Sequence, residues 1–227
     1  MKIGVLGTGI VGQTIAAKLA ALGHEVAIGT RDVPSLMART EVGMGQKEPF
    51  SAWIAKNPAI RVAEFSEAAA HGEIVFNATS GARSMEALGQ AGADNLSGKI
   101  IVDLGNPLDF SRGMPPSLTV SNTDSLGEQI QRAFPDARVV KTLNTVNALV
   151  MVNPQQVAGG DHHVFVSGND AGAKAEVTTI LKDWFGWRHV VDLGDITSAR
   201  AAEMYLPIWV QILASMGTPM FNIRIVT

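Results

Sequence analysis

The sequence predicts an α/β protein with a doubly wound parallel sheet. Over residues 1–152, short apolar segments alternate with amphipathic segments, which is the pattern of strands and helices that take turns along a chain. A glycine-rich string follows directly after the first apolar segment, and the distance to the second suits a β-α-β unit. Such alternation favours parallel pairing with right-handed connections.

The first β-α-β unit is the clearest part of the pattern. The first strand is predicted over Ile3–Leu6, an apolar run that ends at a glycine. The first helix is predicted over Gly12–Leu22, where apolar residues recur at helical spacing. After a Gly-His turn, the second strand is predicted over Glu25–Ile28.

The rest of the first part repeats this alternation, with one irregular stretch. Residues 34–58 contain several glycines and prolines, and only a short helix around Ser51–Lys56 is predicted there. A long loop is predicted over residues 106–116. The other predicted strands are Arg61–Phe65, Glu73–Ala78, Lys99–Leu104 and Arg138–Leu143, and the other predicted helices begin at Ser66 or span Arg83–Gly89 and Ser125–Phe134.

The pattern changes character near the end of the chain, where residues 153–227 are predicted to form a small C-terminal α/β lobe. The chain is thus divided into a domain over residues 1–152 and this lobe. Its predicted elements are a strand His163–Ser167, a helix Ala171–Phe185, a strand His189–Asp192 and a long helix Ser198–Met216.

Composition excludes several classes of function. The 227 residues carry a net charge of −3, so a broad basic surface for nucleic acid is not expected. The absence of cysteine excludes disulfide scaffolds, thiolate-bound zinc, iron–sulfur clusters and thiol nucleophiles, and it fits a cytoplasmic location. The most apolar stretch, Met204–Met220, is interrupted by prolines and polar residues, so we expect a buried or interface helix and no membrane span.

The strongest motif is the string Gly7-Thr8-Gly9-Ile10-Val11-Gly12 between the first strand and the first helix. In this setting Gly7 permits a tight turn, Gly9 lets the backbone approach a pyrophosphate, and Gly12 lets the helix pack on the sheet. The pyrophosphate then meets backbone N–H groups at the positive end of the helix dipole. The motif predicts a dinucleotide-binding turn of the Rossmann type, with a glycine-rich turn that holds no ligand as the alternative.

The end of the second strand bears on which dinucleotide is bound. An acidic residue at this place hydrogen-bonds the ribose 2′-hydroxyl of NAD, whereas an arginine accommodates the 2′-phosphate of NADP. Here the end of the strand carries Thr30 and Arg31. They offer a hydroxyl and a forked guanidinium, which suit a phosphate. We therefore expect NADPH rather than NADH. Asp32 keeps the alternative open, since a shifted loop would present its carboxylate to the ribose.

Small and polar residues follow three later strands as well. Ligands of open α/β sheets bind outside the carboxyl ends of the strands, so these residues are expected near the ribose or the nicotinamide. Ordinary turn chemistry is the alternative at each place. The three segments are Asn77–Gly81, Asp103–Pro107 and Lys141–Asn147.

Several catalytic signatures are absent. The sequence has neither the nucleophile elbow of a hydrolase nor a His-Glu zinc motif, and the adjacent His162 and His163 would point to opposite faces of a strand. We expect no metal site. No general acid or base is evident, which suits a hydride transfer between two bound molecules, where positioning carries the catalysis.

Together these segments resemble the family of F420-dependent NADP oxidoreductases over nearly the whole chain. One of them, Val140–Thr145, is also similar to the oxidoreductase domain of membrane ferric reductases. The segments that carry the resemblance are Val5–Gly9, Gly23–Val26, Gly29–Arg31, Val140–Thr145, Asp192–Arg200 and the helix with Glu203 and Pro207.

The resemblance implies a Rossmann domain that holds NADP, with the deazaflavin coenzyme F420 as hydride partner in a cleft beside the C-terminal lobe. The implied cofactor residues are Gly7, Thr8, Gly9, Ile10, Val11 and Gly12 at the pyrophosphate, Thr30 and Arg31 at the 2′-phosphate, and Thr79, Ser80, Gly81, Asn106, Asn144 and Thr145 near the ribose and nicotinamide. The implied substrate cleft consists of Asn144, Val146, Met204 and Pro207.

The chain departs from the family pattern at two places. After the fourth strand the family carries an Ile-Pro pair and a nearby His, whereas this chain has Thr79-Ser80-Gly81 followed by Arg83. The loop over residues 106–116 is also longer. We expect both departures to lie near the hydride acceptor.

The alternatives concern the acceptor and the apolar C-terminal helix. The acceptor could instead be a flavin, a ferric chelate, a quinone or an imine, and a third hypothesis is an NADPH-binding redox sensor without chemistry. The helix around Tyr205–Met216 either walls the cleft under a flat ring or packs in the core and against a second copy. The resemblance favours a homodimer.

Overall fold

Ten strands form the framework of the computed structural model, which describes residues 1–227. They are β1 Lys2–Leu6, β2 Glu25–Thr30, β3 Ile60–Glu64, β4 Ile74–Asn77, β5 Ile100–Asp103, β6 Leu108–Asp109, β7 Ser117–Leu118, β8 Arg138–Thr142, β9 His163–Ser167 and β10 His189–Asp192. Eight of them form one sheet in the order β10-β9-β8-β5-β4-β1-β2-β3, and β6 and β7 form a separate antiparallel ribbon.

Eleven α-helices connect or follow these strands. They are α1 Ile10–Ala21, α2 Val33–Ala38, α3 Phe50–Ala55, α4 Phe65–His71, α5 Gly81–Ala91, α6 Ala93–Leu96, α7 Leu126–Ala133, α8 Ala148–Val152, α9 Ala171–Thr179, α10 Ala199–Met204 and α11 Leu206–Met216. None of them combines the length and the apolar character that crossing a bilayer requires.

The central strands, such as β1, β4 and β5, are buried on both faces, as is usual in a parallel sheet, whereas the edge strands β3 and β10 are partly exposed. Alternate residues of one strand belong to different apolar clusters: Ile74 and Phe76 to one, and Val75 to the other. The first cluster includes Ile15 of α1, and the second includes Leu88 of α5. Helices therefore cover both faces, and the predicted doubly wound α/β fold is confirmed.

One junction in the main sheet is antiparallel. β9 runs antiparallel to β8 and pairs with it at only two positions, Lys141 with Ser167 and Thr142 with Val166, whereas all the other neighbours are parallel. The two strands predicted for the C-terminal lobe thus extend the same sheet. The division of the chain at residues 152 and 153 stays a prediction.

The C-terminal helix differs from the single long helix that the sequence predicts. It is divided into α10 and α11, and Pro207 lies in the first turn of α11, where its missing N–H costs no helical hydrogen bond. The predicted helix from Ala171 also changes form, since Ile180–Trp184 makes a π-helical turn after α9.

The irregular stretch of residues 34–58 contains one helix more than predicted. α2 begins after Asp32, whose side-chain Oδ1 accepts a hydrogen bond from the Ser35 amide at 2.8 Å. Pro34 occupies the first turn, where proline is favoured. These two capping features start a helix that apolar periodicity alone does not reveal.

Candidate functional site

The turn between β1 and α1 is shaped by its glycines. Gly7 has a φ of +110°, a region that favours glycine, and a side chain at Gly12 would collide with the Gly7 carbonyl oxygen. The carbonyl oxygen of Thr8 accepts hydrogen bonds from the side-chain amides of Gln13 at 3.1 Å and Gln46 at 3.0 Å. The turn is therefore closely packed against the helix and held by two side chains.

A cavity of about 420 Å³ opens on one side of this turn. Three arginines, Arg31, Arg39 and Arg83, and two acids, Asp32 and Glu86, lie in its wall. The cationic excess suits an anionic ligand. Further polar lining comes from Thr8, Thr30, Ser35, Thr79 and Gln90.

Asp32 is already engaged as the N-cap of α2, through the bond to Ser35 described above. This engagement weighs against the alternative in which its carboxylate turns to a ribose hydroxyl. The side chain of Arg31, in contrast, is 61% exposed and lines the cavity. The geometry thus supports the phosphate interpretation of this strand end.

Two of the arginines share one carboxylate. Glu86 lies 3.0 Å from Nη1 of Arg83 through Oε2 and 3.8 Å from Nη1 of Arg31 through Oε1. Arg31 follows β2, whereas Arg83 and Glu86 lie on α5, so the cluster joins two elements across the cavity. We call these three residues the exposed cluster.

A larger cavity of about 1230 Å³ lies on the other side of the glycine turn. More than half of its lining residues are hydrophobic, among them the aromatic side chains of Trp53, Phe185 and Trp209. Ile10 and Val11 of α1 form the wall nearest the turn. Such an apolar cleft with aromatic walls suits a flat ring system.

Two asparagines form the polar edge of the larger cavity. Asn106 donates its side-chain amide to the Asn144 carbonyl oxygen at 2.8 Å, and Asn144 donates to Oδ1 of Asn106 at 2.9 Å. Asn144 also donates to the carbonyl oxygen of Ala202 at 3.1 Å. The amide nitrogen of Asn144 is thus fully used within the protein, and Asn144 holds the loop after β8 against α10.

The predicted site residues fall into three groups by position. Gly7, Thr8, Thr30, Arg31 and Thr79 line the smaller cavity. Ile10, Val11, Asn106, Asn144 and Val146 line the larger one. Neither cavity is lined by Gly9, Gly12, Ser80, Gly81, Thr145, Met204 or Pro207.

The C-terminal helices contribute two residues to the wall of the larger cavity. Met204 is 38% exposed, and neither Met204 nor Pro207 lines the cleft. Leu206 and Trp209 lie in its wall instead. Tyr205 separates α10 from α11, and the assignment of Met204 and Pro207 to the substrate cleft stays a prediction.

The segment after β4 in which the chain departs from the family pattern borders the smaller cavity. Thr79 and Arg83 line the smaller cavity together with Arg31, and neither lines the larger cavity. The expectation that this departure lies near the hydride acceptor stays a prediction. The long loop does reach the larger cavity, through Asn106 and Leu108.

A buried charge cluster beneath the site was not predicted. Nζ of Lys141 lies 2.6 Å from Oδ2 of Asp103 and 2.8 Å from Oε1 of Glu203, and it donates to the Gly105 carbonyl oxygen at 2.6 Å. The three charged side chains are at most 1% exposed. Burial lowers the pKa of Lys141, but the two carboxylates outweigh it and hold that pKa above its usual value. We call these three residues the buried cluster.

The buried cluster connects the sheet edge to two helices. Glu203 of α10 accepts hydrogen bonds from the backbone amides of Leu126 at 2.8 Å and Gly127 at 3.0 Å, at the start of α7. On the other side, Asn77 donates to Oδ1 of Asp103 at 2.8 Å and accepts from the Thr79 hydroxyl at 2.7 Å. The network therefore runs from the wall of the smaller cavity to the C-terminal helices.

Comparison with known proteins identifies related sequences and structures. The family model described as NADP oxidoreductase coenzyme F420-dependent matches residues 2–107. A crystal structure from Arthrobacter sp. FB24, provisionally named an F420-dependent NADP-reductase, is 58% identical, with a TM-score of 0.94 over 100% of both chains.

Two curated proteins are more distant relatives. The F420-dependent NADP reductase of Methanothermobacter marburgensis is 27% identical over 93% of this chain and 92% of its own length. The Metalloreductase STEAP3 of Rattus norvegicus is also 27% identical, over 95% of this chain, but the chain spans only 39% of that protein.

Proposed function

Because the chain belongs to the family of F420-dependent NADP oxidoreductases, we propose that it transfers a hydride between NADPH and coenzyme F420. The chain is an NADP-dependent oxidoreductase, and NADP(H) and F420 are its cofactors. One observation carries the proposal: the glycine turn separates a cationic cavity from a larger apolar one, with Thr8 lining the first and Ile10 the second. A dinucleotide that crosses the turn reaches both.

The smaller cavity would hold the adenosine end of NADP. Thr30 and Arg31 offer a hydroxyl and a guanidinium to the 2′-phosphate, and the pyrophosphate would meet the backbone of the Gly7–Gly12 turn. Gly9 supports this assignment, because no atom lies within 4 Å of the position that a side chain would take there. The backbone is therefore open to a close approach.

The larger cavity would hold the nicotinamide and the deazaflavin ring. When bound, NADPH supplies the hydride and F420 accepts it, so the chain has to align two rings and keep water away. The aromatic residues Trp53, Phe185 and Trp209 would pack against the bound rings and keep water from them, and the Asn106–Asn144 pair would fix the polar edge. No side chain is assigned as a general acid or base.

A second copy of the chain is part of this proposal. The C-terminal helix α11 leaves apolar side chains in solvent, with Ile208 55% and Met216 59% exposed. Exposed apolar side chains of this size favour association when they are covered together. We therefore propose a homodimer in which this helix is covered, and its test is the mass of the purified protein in solution by light scattering.

A metal chelate is a second candidate acceptor. It is supported by the similarity to Metalloreductase STEAP3. The match covers 95% of this chain but only 39% of that protein. Both acceptors use the same donor cavity, so they differ only in what enters the larger one.

The test mixes protein, NADPH and oxidised F420 and follows the loss of the visible absorbance of the deazaflavin. NADH and the variant Arg31→Ala serve as parallel controls. We expect turnover that depends on NADPH and on Arg31. Binding of NADPH without turnover of F420 would overturn the proposed acceptor, and a ferric chelate would be assayed next under the same conditions.

A further inference from the structure

We propose that Arg83 of α5 is a second residue that recognises the 2′-phosphate of NADP, and that Glu86 competes with this phosphate for Arg31 and Arg83. The inference deepens the proposed function and depends on NADP binding in the smaller cavity. It concerns the segment after β4 in which this chain departs from the family pattern.

The convergence of two guanidinium groups is the first argument. Arg31 and Arg83 come from different elements, yet both approach the carboxylate of Glu86, at 3.8 Å and 3.0 Å. A carboxylate and a phosphate present oxygens of similar geometry to arginine, and both accept paired hydrogen bonds. The place that Glu86 occupies between the two arginines is therefore a place that a phosphate group could take.

The surroundings of this point are the second argument. The exposed cluster lies in the wall of the smaller cavity, which Thr30, Ser35 and Arg39 also line. Thr30 and Ser35 each supply a hydroxyl, and Arg39 supplies a third cation. An ordinary ion pair between neighbouring turns of a helix would involve Arg83 and Glu86 alone. This cluster differs from such a pair because it includes Arg31, which follows β2, and because all three residues line a cavity.

Solvent exposure makes the carboxylate replaceable. The side chains of Arg31, Glu86 and Arg83 are 61%, 42% and 66% exposed, so the ion pairs between them contribute little to stability. A phosphate monoester carries about two negative charges, more than the single charge of Glu86, and attracts the two guanidiniums more strongly. Glu86 then remains close to the bound phosphate and repels it.

Two opposite consequences follow for the two side chains. Removing Arg83 weakens binding of any ligand with a 2′-phosphate and leaves ligands without one unchanged. Neutralising Glu86 removes the competitor and the repulsion, so it strengthens binding of the phosphorylated ligand. The difference in affinity between NADPH and NADH is thus set by both residues of α5 as well as by Arg31.

Calorimetric titration with adenosine 2′,5′-bisphosphate and with adenosine 5′-monophosphate tests this directly, since neither probe enters the acceptor cleft. We expect Arg83→Ala to weaken binding of the bisphosphate by about tenfold and binding of the monophosphate by less than about twofold. Arg83→Lys should lose less affinity for the bisphosphate than Arg83→Ala, because lysine keeps the positive charge. It should still lose some affinity, because lysine lacks the forked donors of arginine. We expect Glu86→Gln to strengthen binding of the bisphosphate by about threefold or more.

Matched controls come from exposed residues outside the cavity. Arg61→Ala removes an exposed guanidinium of β3, and Glu176→Gln removes an exposed carboxylate of α9, so each reproduces the change in net charge. Neither should change the affinity for either probe by more than about twofold. Because the substituted side chains are all exposed, we expect every variant to fold. Thermal unfolding of each variant checks this.

The outcomes separate this inference from the proposed function. If Arg31→Ala weakens the bisphosphate and Arg83→Ala does not, the role of Arg83 is wrong while the NADP site stands. If Glu86→Gln weakens the bisphosphate, Glu86 organises the arginines and does not compete. If the unaltered protein binds both probes equally, it does not recognise the 2′-phosphate, so this inference and the proposed preference for NADPH both fail.

Discussion

The exposed cluster and the buried cluster are opposite arrangements of three charges at the same edge of the sheet. In the exposed cluster two cations, Arg31 and Arg83, share one carboxylate, whereas in the buried cluster Lys141 is shared by two carboxylates. Solvent reaches between 42% and 66% of each side chain in the first cluster and at most 1% in the second.

This difference in exposure decides what each cluster can do. In water, the partners of Arg31 can be exchanged for a ligand at small cost, since exposed ion pairs contribute about 0–1 kcal/mol. In the interior, losing one partner leaves an uncompensated charge, which costs about 3–5 kcal/mol. The exposed cluster is thus suited to reversible recognition, and the buried cluster to holding the loop at Gly105 and the start of α7 in place.

The largest expected effect comes from breaking the buried cluster. Lys141→Met leaves the carboxylates of Asp103 and Glu203 buried without their cation, so we expect the free energy of unfolding to fall by about 3–5 kcal/mol. Urea denaturation measures it. Arg83→Ala is the reference from the exposed cluster and should change stability by less than about 1 kcal/mol. Equal effects of the two substitutions would remove the distinction between the clusters.

A milder change at the same place sharpens the comparison. Glu203→Gln keeps the size of the side chain but weakens its bonds to Lys141 and to the amides of Leu126 and Gly127. We expect a loss of about 1–3 kcal/mol by urea denaturation, with the affinity for adenosine 2′,5′-bisphosphate unchanged. A weakened affinity would show that the buried network controls the smaller cavity through Asn77 and Thr79.

Salt should act on one cluster only. Raising NaCl from about 0.1 M to about 1 M shortens the screening length from about 10 Å to about 3 Å, and we expect the bisphosphate to bind several-fold more weakly. The stability difference between the unaltered protein and Lys141→Met should stay constant over this range, because solvent ions do not reach the buried cluster. If this stability difference changed with salt, solvent ions would reach Lys141, and the cluster would not be buried in solution.

The smallest expected effect tests an ion pair of intermediate exposure. The hydrogen-bonded guanidinium of Arg132 lowers the pKa of Asp124 from 3.8 to about 2. Because this pKa is lowered by folding, the stabilisation is present above about pH 4 and is lost as the pH falls towards 2.

Asp124→Asn should therefore be less stable than the unaltered protein at neutral pH, by less than about 1 kcal/mol because Arg132 is largely exposed. The two urea denaturation midpoints should converge below about pH 4. A difference that is independent of pH would assign the effect to the hydrogen bonds of Asp124 and not to its charge.

Local patterns account for the parts of the molecule that the sequence predicts well. The strands His163–Ser167 and His189–Asp192 have the predicted bounds, and Ser125 caps α7 where the predicted helix begins. The glycine string lies at the predicted turn, because a positive φ at Gly7 and close packing at Gly12 exclude most other residues there. Each of these features depends on neighbours within a few positions.

The features that were missed depend on contacts between distant residues. Lys141 lies within a buried apolar strand, and a lysine there requires a counter-charge, which is a signal that the sequence does contain. Nothing local identifies Glu203, 62 positions further on, as the partner. The assignment of Met204 and Pro207 to the substrate cleft assumed one continuous helix, whereas Pro207 lies in the first turn of a new one, and this assignment stays a prediction.

The short junction between β8 and β9 has a consequence for local opening. Only two paired positions join β9 and β10 to the rest of the sheet, so we expect the amide hydrogens of these strands to exchange with solvent through an opening that leaves β1, β4 and β5 protected. The larger cavity is lined by Val11 of α1 and by Phe185, which lies between β9 and β10 in the chain. A ring bound between them would slow the exchange of β9 and β10, and the same ligand that reacts would then also hold the sheet together.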